Sequence, residues 1–431
     1  MSQEVPSRLN PDRLRWVDYW IGIPICFALT IWSRLFGARG AGAPKSVLFI
    51  ELAEMGSTIL ACPAVRRLQQ AHPGCRVFFL VFKHIDESVK VLDLIPDAQI
   101  MTIDVSSAAT LVRDTWRFMR AARREGIDTV INLEMFARFS TILTYLSGAR
   151  TRVGFHPFTQ KGLYVGDLFT HRVLYNPHIH TWQALMALVQ ALEVPADELS
   201  TNDLPLGKFP AASPDEKVIP RIVSHPAARR RIEELLSAAS PAVLDKRLIV
   251  INPNASKLIS IRKWPLDSYA RLVDRVLQDP RNACVITGLR SELEDAQYIL
   301  DRVKSDRLVS LAGKTSLREL IELFTMADLL VTNDSGPAHF ASMTDVHVLV
   351  FFGPETPELY RPLTDRCTVM YSNYACSPCV SAYNQRKSVC TNNRCLTSIP
   401  VADVQAKIEA ILTHGTALSG RQEPLVAILN R

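Results

Sequence analysis

Short, uninterrupted apolar runs recur along the chain, each followed by a polar turn and a stretch of helical periodicity. The first is Val47-Leu48-Phe49-Ile50 and the second Val77-Phe78-Phe79-Leu80-Val81; shorter ones follow at 100–103, 129–133 and 151–154. A strand apolar at every position, rather than at alternate ones, is covered on both faces, as in a parallel sheet. Helical periodicity fills the intervals at 59–70, 111–125 and 139–147. The alternation predicts βαβ units wound into a parallel sheet. Between 157 and 180 the rhythm is lost, and His171, His178 and His180 fall in loop-like sequence. No cysteine or carboxylate stands beside them at ligand spacing, so they read as loop or substrate-contact residues rather than metal ligands. A helix at 181–192 leads into a Pro/Asp/Ser-rich linker at about 195–220.

The pattern then restarts. A helix at 225–239 precedes the buried run Leu248-Ile249-Val250-Ile251, which opens into Asn252-Pro253-Asn254-Ala255-Ser256. Strands at 284–287, 308–310, 329–332 and 347–352 alternate with helices at 267–278, 291–303 and 317–327. The last of these helices carries Ser316 and Glu319, the spacing of a capping box. Two α/β halves of similar size put a ligand crevice at the carboxyl ends of the strands, between the halves. The expected domains are an N-terminal segment at 1–43, a first Rossmann-like domain at 44–213, a second at 214–413 and a tail at 414–431.

One stretch departs from this plan. Trp16 to Phe36 is mostly apolar and is bracketed by Trp16, Tyr19 and Trp20 at one end and by Trp32 and Phe36 at the other. Aromatic brackets mark segments at a bilayer interface. Asp18, Pro24 and Arg34 interrupt it, and its uninterrupted part is short for a full span. A span or re-entrant anchor, an interfacial helix, and a signal segment cleaved in the small-residue stretch at 38–43 all fit this pattern.

Composition narrows the class without naming a function. With 48% hydrophobic and 21% charged residues the chain is globular. A net charge of +6 over 431 residues suits an anionic substrate or acidic membrane surface. It falls short of a nucleic-acid footprint, and no dense basic stretch with interleaved aromatics occurs. Nine cysteines are unevenly spread. Four form Cys376-x2-Cys379-x10-Cys390-x4-Cys395. That spacing admits a zinc cluster, uncommitted thiols or disulfides, with zinc the minority reading.

The candidate chemistry lies in the polar turns. Asn333-Asp334-Ser335-Gly336-Pro337-Ala338-His339 joins a strand to a helix; Asp334 or Ser335 can cap that helix and Pro337 suits its first turn. A helix N-terminus attracts anions. Ser256, Lys263 and Gly288 fall on the same edge of the sheet as Asp334, Ser335, Gly336 and His339. A lysine, hydroxyls and free N–H groups together suit a diphosphate and can stabilise it as a leaving group.

These segments resemble a known family. Asn252-Pro253-Asn254-Ala255-Ser256 with Arg262-Lys263-Trp264-Pro265, and the Asn333–His339 run, are similar to the phosphate-binding and donor-binding segments of the heptosyltransferases, glycosyltransferase family 9. Gly56 with Cys62-Pro63-Ala64, and Phe351-Phe352-Gly353-Pro354-Glu355-Thr356-Pro357, fit as well, so that the likeness covers about 45–413. The resemblance implies a GT-B fold of two Rossmann-like doubly wound domains with an interdomain cleft. It implies an acceptor in the first domain, a nucleotide-sugar in the second, and inverting transfer without a cofactor or bound metal. ADP-heptose is then a plausible donor and a lipopolysaccharide or other lipid-linked glycan the acceptor. The expected location is the cytoplasmic face of the inner membrane, where nucleotide-sugars are found, with 16–36 meeting the membrane.

One position breaks the family pattern. The first turn of the family carries Gly-Asp, the Asp being its proposed general base, and here the pair is Gly56-Ser57. A serine hydroxyl is far too weak a base to replace it. Glu54, in the same turn, is the expected substitute, with Gly56, Ser57 and Arg138 on the acceptor side. The alternative is a catalytically inactive GT-B-like nucleotide-sugar-binding or scaffold protein; an epimerase is a weaker one, lacking an identifiable acid–base pair.

Overall fold

The structure is a computed structural model and describes residues 11–36, 42–156, 163–194, 214–255, 257–414 and 426–428. The described residues divide into two compact units that part between Val218 and Ile219. Most of the expected linker lies outside the described residues.

The first unit is built on six parallel strands: β1 (Ser46–Ile50), β2 (Arg76–Phe82), β3 (Ile100–Ile103), β4 (Thr129–Asn132), β5 (Thr151–Phe155) and β6 (His171–Val173). Their spatial order is β3-β2-β1-β4-β5-β6. The apolar run of β1 is buried at every residue because β2 and β4 flank it and helices cover both faces. Phe49 stacks on Phe79 across the β1–β2 pair at 5.3 Å between ring centres. The sequence has no clear strand signal for β6, since three residues carry no periodicity; pairing of His171 with Val153 at the sheet edge creates it. The helix expected at 59–70 is two helices, Met55–Leu60 and Cys62–Ala71, with Pro63 opening the second.

The second unit holds seven parallel strands: β7 (Arg247–Asn252), β8 (Asn282–Ile286), β9 (Leu308–Ser310), β10 (Leu329–Asn333), β11 (His347–Phe352), β12 (Cys367–Tyr371) and β13 (Val426–Ile428). Their order is β13-β12-β11-β10-β7-β8-β9. The segment expected as a plain tail therefore supplies an edge strand, with Val369 opposite Val426. A helix at Val401–His414 closes one face and packs on the Leu266–Val276 helix.

In both sheets the strand order reverses once, between β1 and β4 and between β7 and β10. At such a switch point adjacent crossovers leave on opposite faces, opening a crevice beyond the carboxyl ends of the strands. The turns after β1, β7 and β10 carry most of the candidate residues; Gly288 follows β8, and Arg138 opens the helix after β4.

The Trp16–Phe36 segment belongs to the first unit. It forms helices α1 (Pro11–Trp20) and α2 (Gly22–Phe36), which pack on the helix Arg138–Leu146.

Candidate active site

In the second unit, β7 and β10 run side by side with Thr332 opposite Asn252. The two motif turns, distant in the chain, therefore leave the sheet together. Asn333 fastens them. Its side chain is fully buried; Oδ1 accepts a hydrogen bond from the Trp264 N–H at 2.8 Å, and Nδ2 donates to the carbonyls of Pro253 at 2.9 Å and Asn254 at 3.3 Å. Trp264 is locked in turn: its ring stacks on Phe351 at 4.6 Å, meets Tyr269 edge-on at 5.0 Å, and its indole N–H donates to the Ile399 carbonyl at 3.2 Å. The Lys-Trp-Pro segment thus has one residue in the core and its neighbours Arg262 and Lys263 at the turn.

Those two cations take different places. The Lys263 ammonium donates to Asn254 Oδ1 at 2.8 Å and to Asp295 Oδ2 at 2.9 Å, and stays partly exposed. The Arg262 guanidinium meets Asp334 Oδ2 at 3.1 Å. Gly288 lies beside the same asparagine; a Cβ there would stand 3.4 Å from Asn254 Nδ2 and 3.0 Å from Glu292 Oε2. Ser256 lies outside the described residues.

The helix after β10, Gly336–Ala341, begins at Ser335 with Pro337 in its first turn, as expected. The expected side-chain cap is not made. Ser335 Oγ donates to the Asn333 carbonyl at 3.1 Å, and the Asp334 carboxylate is engaged by Arg262. Arg262 outcompetes the cap because a charge-assisted bond to a guanidinium is the stronger interaction. The first-turn N–H groups are left without a capping side chain.

His339 and Glu355 border this turn, both buried. Among the described residues, His339 Nδ1, Asn254 Nδ2, Arg262 Nε and both Glu355 carboxyl oxygens have no hydrogen-bond partner. Burial holds the His339 imidazole down to about 4, against an opposing pull from Asp334 and with a smaller push from Arg262. Burial pushes the Glu355 carboxyl well above its usual range; Asp334 adds to this and Arg262 opposes it. His339 is therefore neutral at pH 7, while the Glu355 carboxyl has Arg386 Nε as an ion-pair partner at 3.6 Å. Since His339 is harder to protonate folded than unfolded, its stabilising contribution is full above about 6.5 and is lost as pH falls toward about 4. Urea denaturation between pH 7 and pH 4.5 is expected to show a decline to which His339 contributes up to about 3 kcal/mol at the acid limit. The decline should be shallower in His339→Asn; an unchanged slope would remove His339 as its source.

In the first unit, the turn after β1 is held from β4. The half-buried Glu134 accepts the Leu52 N–H at 2.7 Å, and desolvation raises its carboxyl pKa. The Glu134 N–H donates to Asn132 Oδ1 at 3.0 Å, whose Nδ2 donates to Ser140 Oγ at 3.0 Å. Glu54 then stands at the N-cap of the Met55–Leu60 helix, partly exposed, and Ser57 Oγ donates to its Oε2 at 3.0 Å. Gly56 lies between them in that helix. A carboxylate oriented by a hydroxyl is an arrangement able to accept a proton from a bound alcohol.

Arg138 is corrected. Its side chain is 1% exposed, and its guanidinium meets Asp18 Oδ2 at 2.8 Å and lies over the Tyr19 ring at 5.5 Å. It is turned toward α1 and is not free to meet an acceptor. The local sequence held no sign of this, because its partner is 120 residues away. The four late cysteines are free thiols, and no cluster of three or more His, Cys, Asp or Glu poised to hold a metal occurs among the described residues. His180 caps the helix Thr181–Gln190 instead, its Nδ1 accepting the Trp182 N–H at 3.3 Å.

Asn333, Arg262, Glu355 and Glu134 were not singled out from the sequence as site residues. A buried polar residue at the last position of a strand was the available signal for Asn333.

Two doubly wound units with polar turns at their switch points are the architecture of the GT-B fold, which glycosyltransferases use. Residues 115–389 match the model of glycosyltransferase family 9 (heptosyltransferase), and the chain belongs to that family. It is similar to the lipopolysaccharide core heptosyltransferase OpsX of Haemophilus influenzae, 23% identical over 318 residues, covering 73% of this chain and 81% of that protein. It is also similar to lipopolysaccharide heptosyltransferase 3 of Escherichia coli, 22% identical, covering 84% and 99%. In fold it matches the E. coli ADP-heptose lps heptosyltransferase II, with a TM-score of 0.66 at 16% identity over 86% of this chain and all (100%) of that one. The E. coli heptosyltransferase WaaC with ADP gives 0.58 at 16% identity, over 85% and 99%.

Proposed function

We propose that this glycosyltransferase moves a heptose from an ADP-linked donor to a lipopolysaccharide-type acceptor, with inversion and without a bound metal. The acceptor oxygen attacks the anomeric carbon while the bond from that carbon to the diphosphate oxygen breaks, and its electron pair leaves on the diphosphate. The acceptor proton passes to the Glu54 carboxylate, which Ser57 orients. The observation that carries the reading is the paired turn held by Asn333, which gathers Lys263, Arg262 and an uncapped helix N-terminus in one unit. Donors of this kind stabilise a leaving diphosphate in the absence of a metal. Ser256, Gly288, Asp334, Ser335, Gly336 and His339 complete the donor side; Gly56 and Ser57 flank the base. The names of the relatives support heptose, ADP and lipopolysaccharide. A lipid-linked acceptor met by a nucleotide-sugar donor favours the cytoplasmic face of the inner membrane.

The test is release of nucleotide diphosphate from a panel of nucleotide-sugars, with and without acceptor, in buffer containing a chelator. Acceptor-dependent release from ADP-heptose, unaffected by the chelator, is expected. Lys263→Ala should raise the donor KM by about tenfold or more, the scale of one charged hydrogen bond. Donor binding without release would mark a non-catalytic protein, and loss of release in chelator would overturn the metal-free mechanism.

A further inference from the structure

Between Trp16 and Phe36, about one residue in three is shielded by the protein, namely Asp18, Gly22, Ile23, Cys26, Leu29, Thr30 and Ser33. Asp18, Gly22, Cys26, Thr30 and Arg34 form a stripe at successive i, i+4 positions, which stack on one side of a helix. Each makes a contact with the first unit or a close approach to it. Asp18 accepts from the Arg138 guanidinium at 2.8 Å and from the Phe139 N–H at 3.1 Å. Gly22 lets Arg138 close in, since a Cβ there would stand 2.9 Å from Arg138 Cβ. Gly166, held at a φ of +76°, presses on Cys26 and Thr30: its own Cβ would lie 2.9 Å from Thr30 Oγ1 and 3.0 Å from the Cys26 carbonyl. Thr30 Oγ1 accepts the Asp167 N–H at 2.8 Å, and Arg34 pairs with the Asp167 carboxylate at 3.2 Å.

From Trp16 to Phe36 the remaining surface is largely apolar and exposed. Trp16, Trp20, Phe27, Trp32, Leu35 and Phe36 are each 58–68% exposed. Trp16–Phe36 is long and apolar enough to cross a membrane by length and composition. Its attachment argues against crossing. A span of this length would use nearly all its residues to traverse the hydrocarbon. The stripe is fastened to the folded unit from Asp18 to Arg34, so a crossing helix would carry Asp18, Arg138, Asp167 and the unit that bears them into lipid, where charged groups are costly.

We propose that α1 and α2 lie flat in the membrane interface as a monotopic insertion surface, held to the first unit along one side and immersed in the headgroup and upper acyl region on the others. A bilayer, rather than a second copy of this chain, is the occupant, because a protein partner covers one side of a helix whereas a fluid medium covers all of the surface left open. The aromatic residues at both ends match the headgroup level. Of the alternatives left open by the sequence, the anchoring stripe selects the interfacial helix. The inference adds to the proposed lipid-linked acceptor a way of meeting it, and rests on that reading only for its use.

The full chain, carrying an epitope tag at its N-terminus, is expressed in a bacterium, and inside-out inner-membrane vesicles are treated with protease. A flat helix leaves the tag on the cytoplasmic side, so the tag should be digested; a protected tag, or one absent before protease, overturns the proposal. Purified protein is then floated with vesicles of phosphatidylethanolamine and phosphatidylglycerol. The triple variant Trp20→Asp, Phe27→Asp, Trp32→Asp should lose at least about tenfold in vesicle-bound fraction while retaining its thermal unfolding and its transfer to a delipidated, water-soluble acceptor. Equal flotation of variant and wild type overturns the proposal, as does a wild-type protein that ignores vesicles and dimerises through this face. If flotation behaves as expected but neither protein transfers sugar to the soluble acceptor, the functional reading fails and the insertion surface stands.

Discussion

Replacing Glu54 by Gln is expected to lower kcat for sugar transfer by about 10²–10⁴-fold, the usual contribution of a general base. The substitution is close to isosteric. A glutamine carbonyl can still accept the Ser57 hydroxyl, so the 3.0 Å contact and the turn held by Glu134 are retained. What is lost is the ability to take a proton. Donor affinity should be unchanged, because Glu54 stands after β1 in the first unit and the cations assigned to the diphosphate stand after β7 in the second. The contrast with Lys263→Ala, which raises donor KM, separates chemistry from binding. Ser57→Ala should cost less, about tenfold, since it removes one hydrogen bond to a partly exposed carboxylate. Steady-state kinetics on ADP-heptose with a fixed acceptor reads all three. An unchanged kcat in Glu54→Gln would remove Glu54 as the base and leave the departure at Ser57 unexplained.

Asn333→Asp is expected to destabilise the second unit by about 3 kcal/mol and to abolish donor binding with it. The variant keeps the acceptor for the Trp264 N–H. It replaces the Nδ2 donor by an oxygen facing the carbonyls of Pro253 and Asn254, in a site with no solvent exposure. Two buried carbonyls lose their donor, and a buried carboxyl group must either stay neutral or stand uncompensated. The paired turns then separate, and Lys263 with Asn254 loses its fixed relation to the Asp334 turn. Urea denaturation gives the stability loss, and nucleotide titration at a temperature where the variant is folded gives the binding loss. Full stability with intact nucleotide affinity would show that the turns hold together without Asn333.

Much of this molecule was legible before any coordinates. Fully apolar runs such as Val47–Ile50 and Ile249–Ile251 specify parallel strands, because only a strand covered on both faces needs apolar residues at every position. Capping signals placed the helix at Leu317–Met326, where Ser316 and Glu319 cap each other's turn as expected. The polar turns at strand ends, with Lys263, Asp334 and His339, carried the family resemblance and are the proposed donor side.

Tertiary structure decided the rest wherever a residue's role depends on a partner far along the chain. β6 and β13 exist because an edge strand offers them hydrogen bonds, and three residues have no periodicity to announce it. Asp334 and Ser335 had the right identity to cap a helix, yet Arg262 and the Asn333 carbonyl claim them. Arg138 read as an acceptor-side residue, and packing against Asp18 and Gly22 made it a buried anchor. The stretch from Trp16 to Phe36 shows the division most sharply. Its apolar, aromatic-bracketed composition is a property of the sequence and admits several membrane dispositions. Which side of the helix is held, and which surface is left open, is fixed only by contacts with residues more than 100 positions away, because a helix displays every side until something packs against one of them.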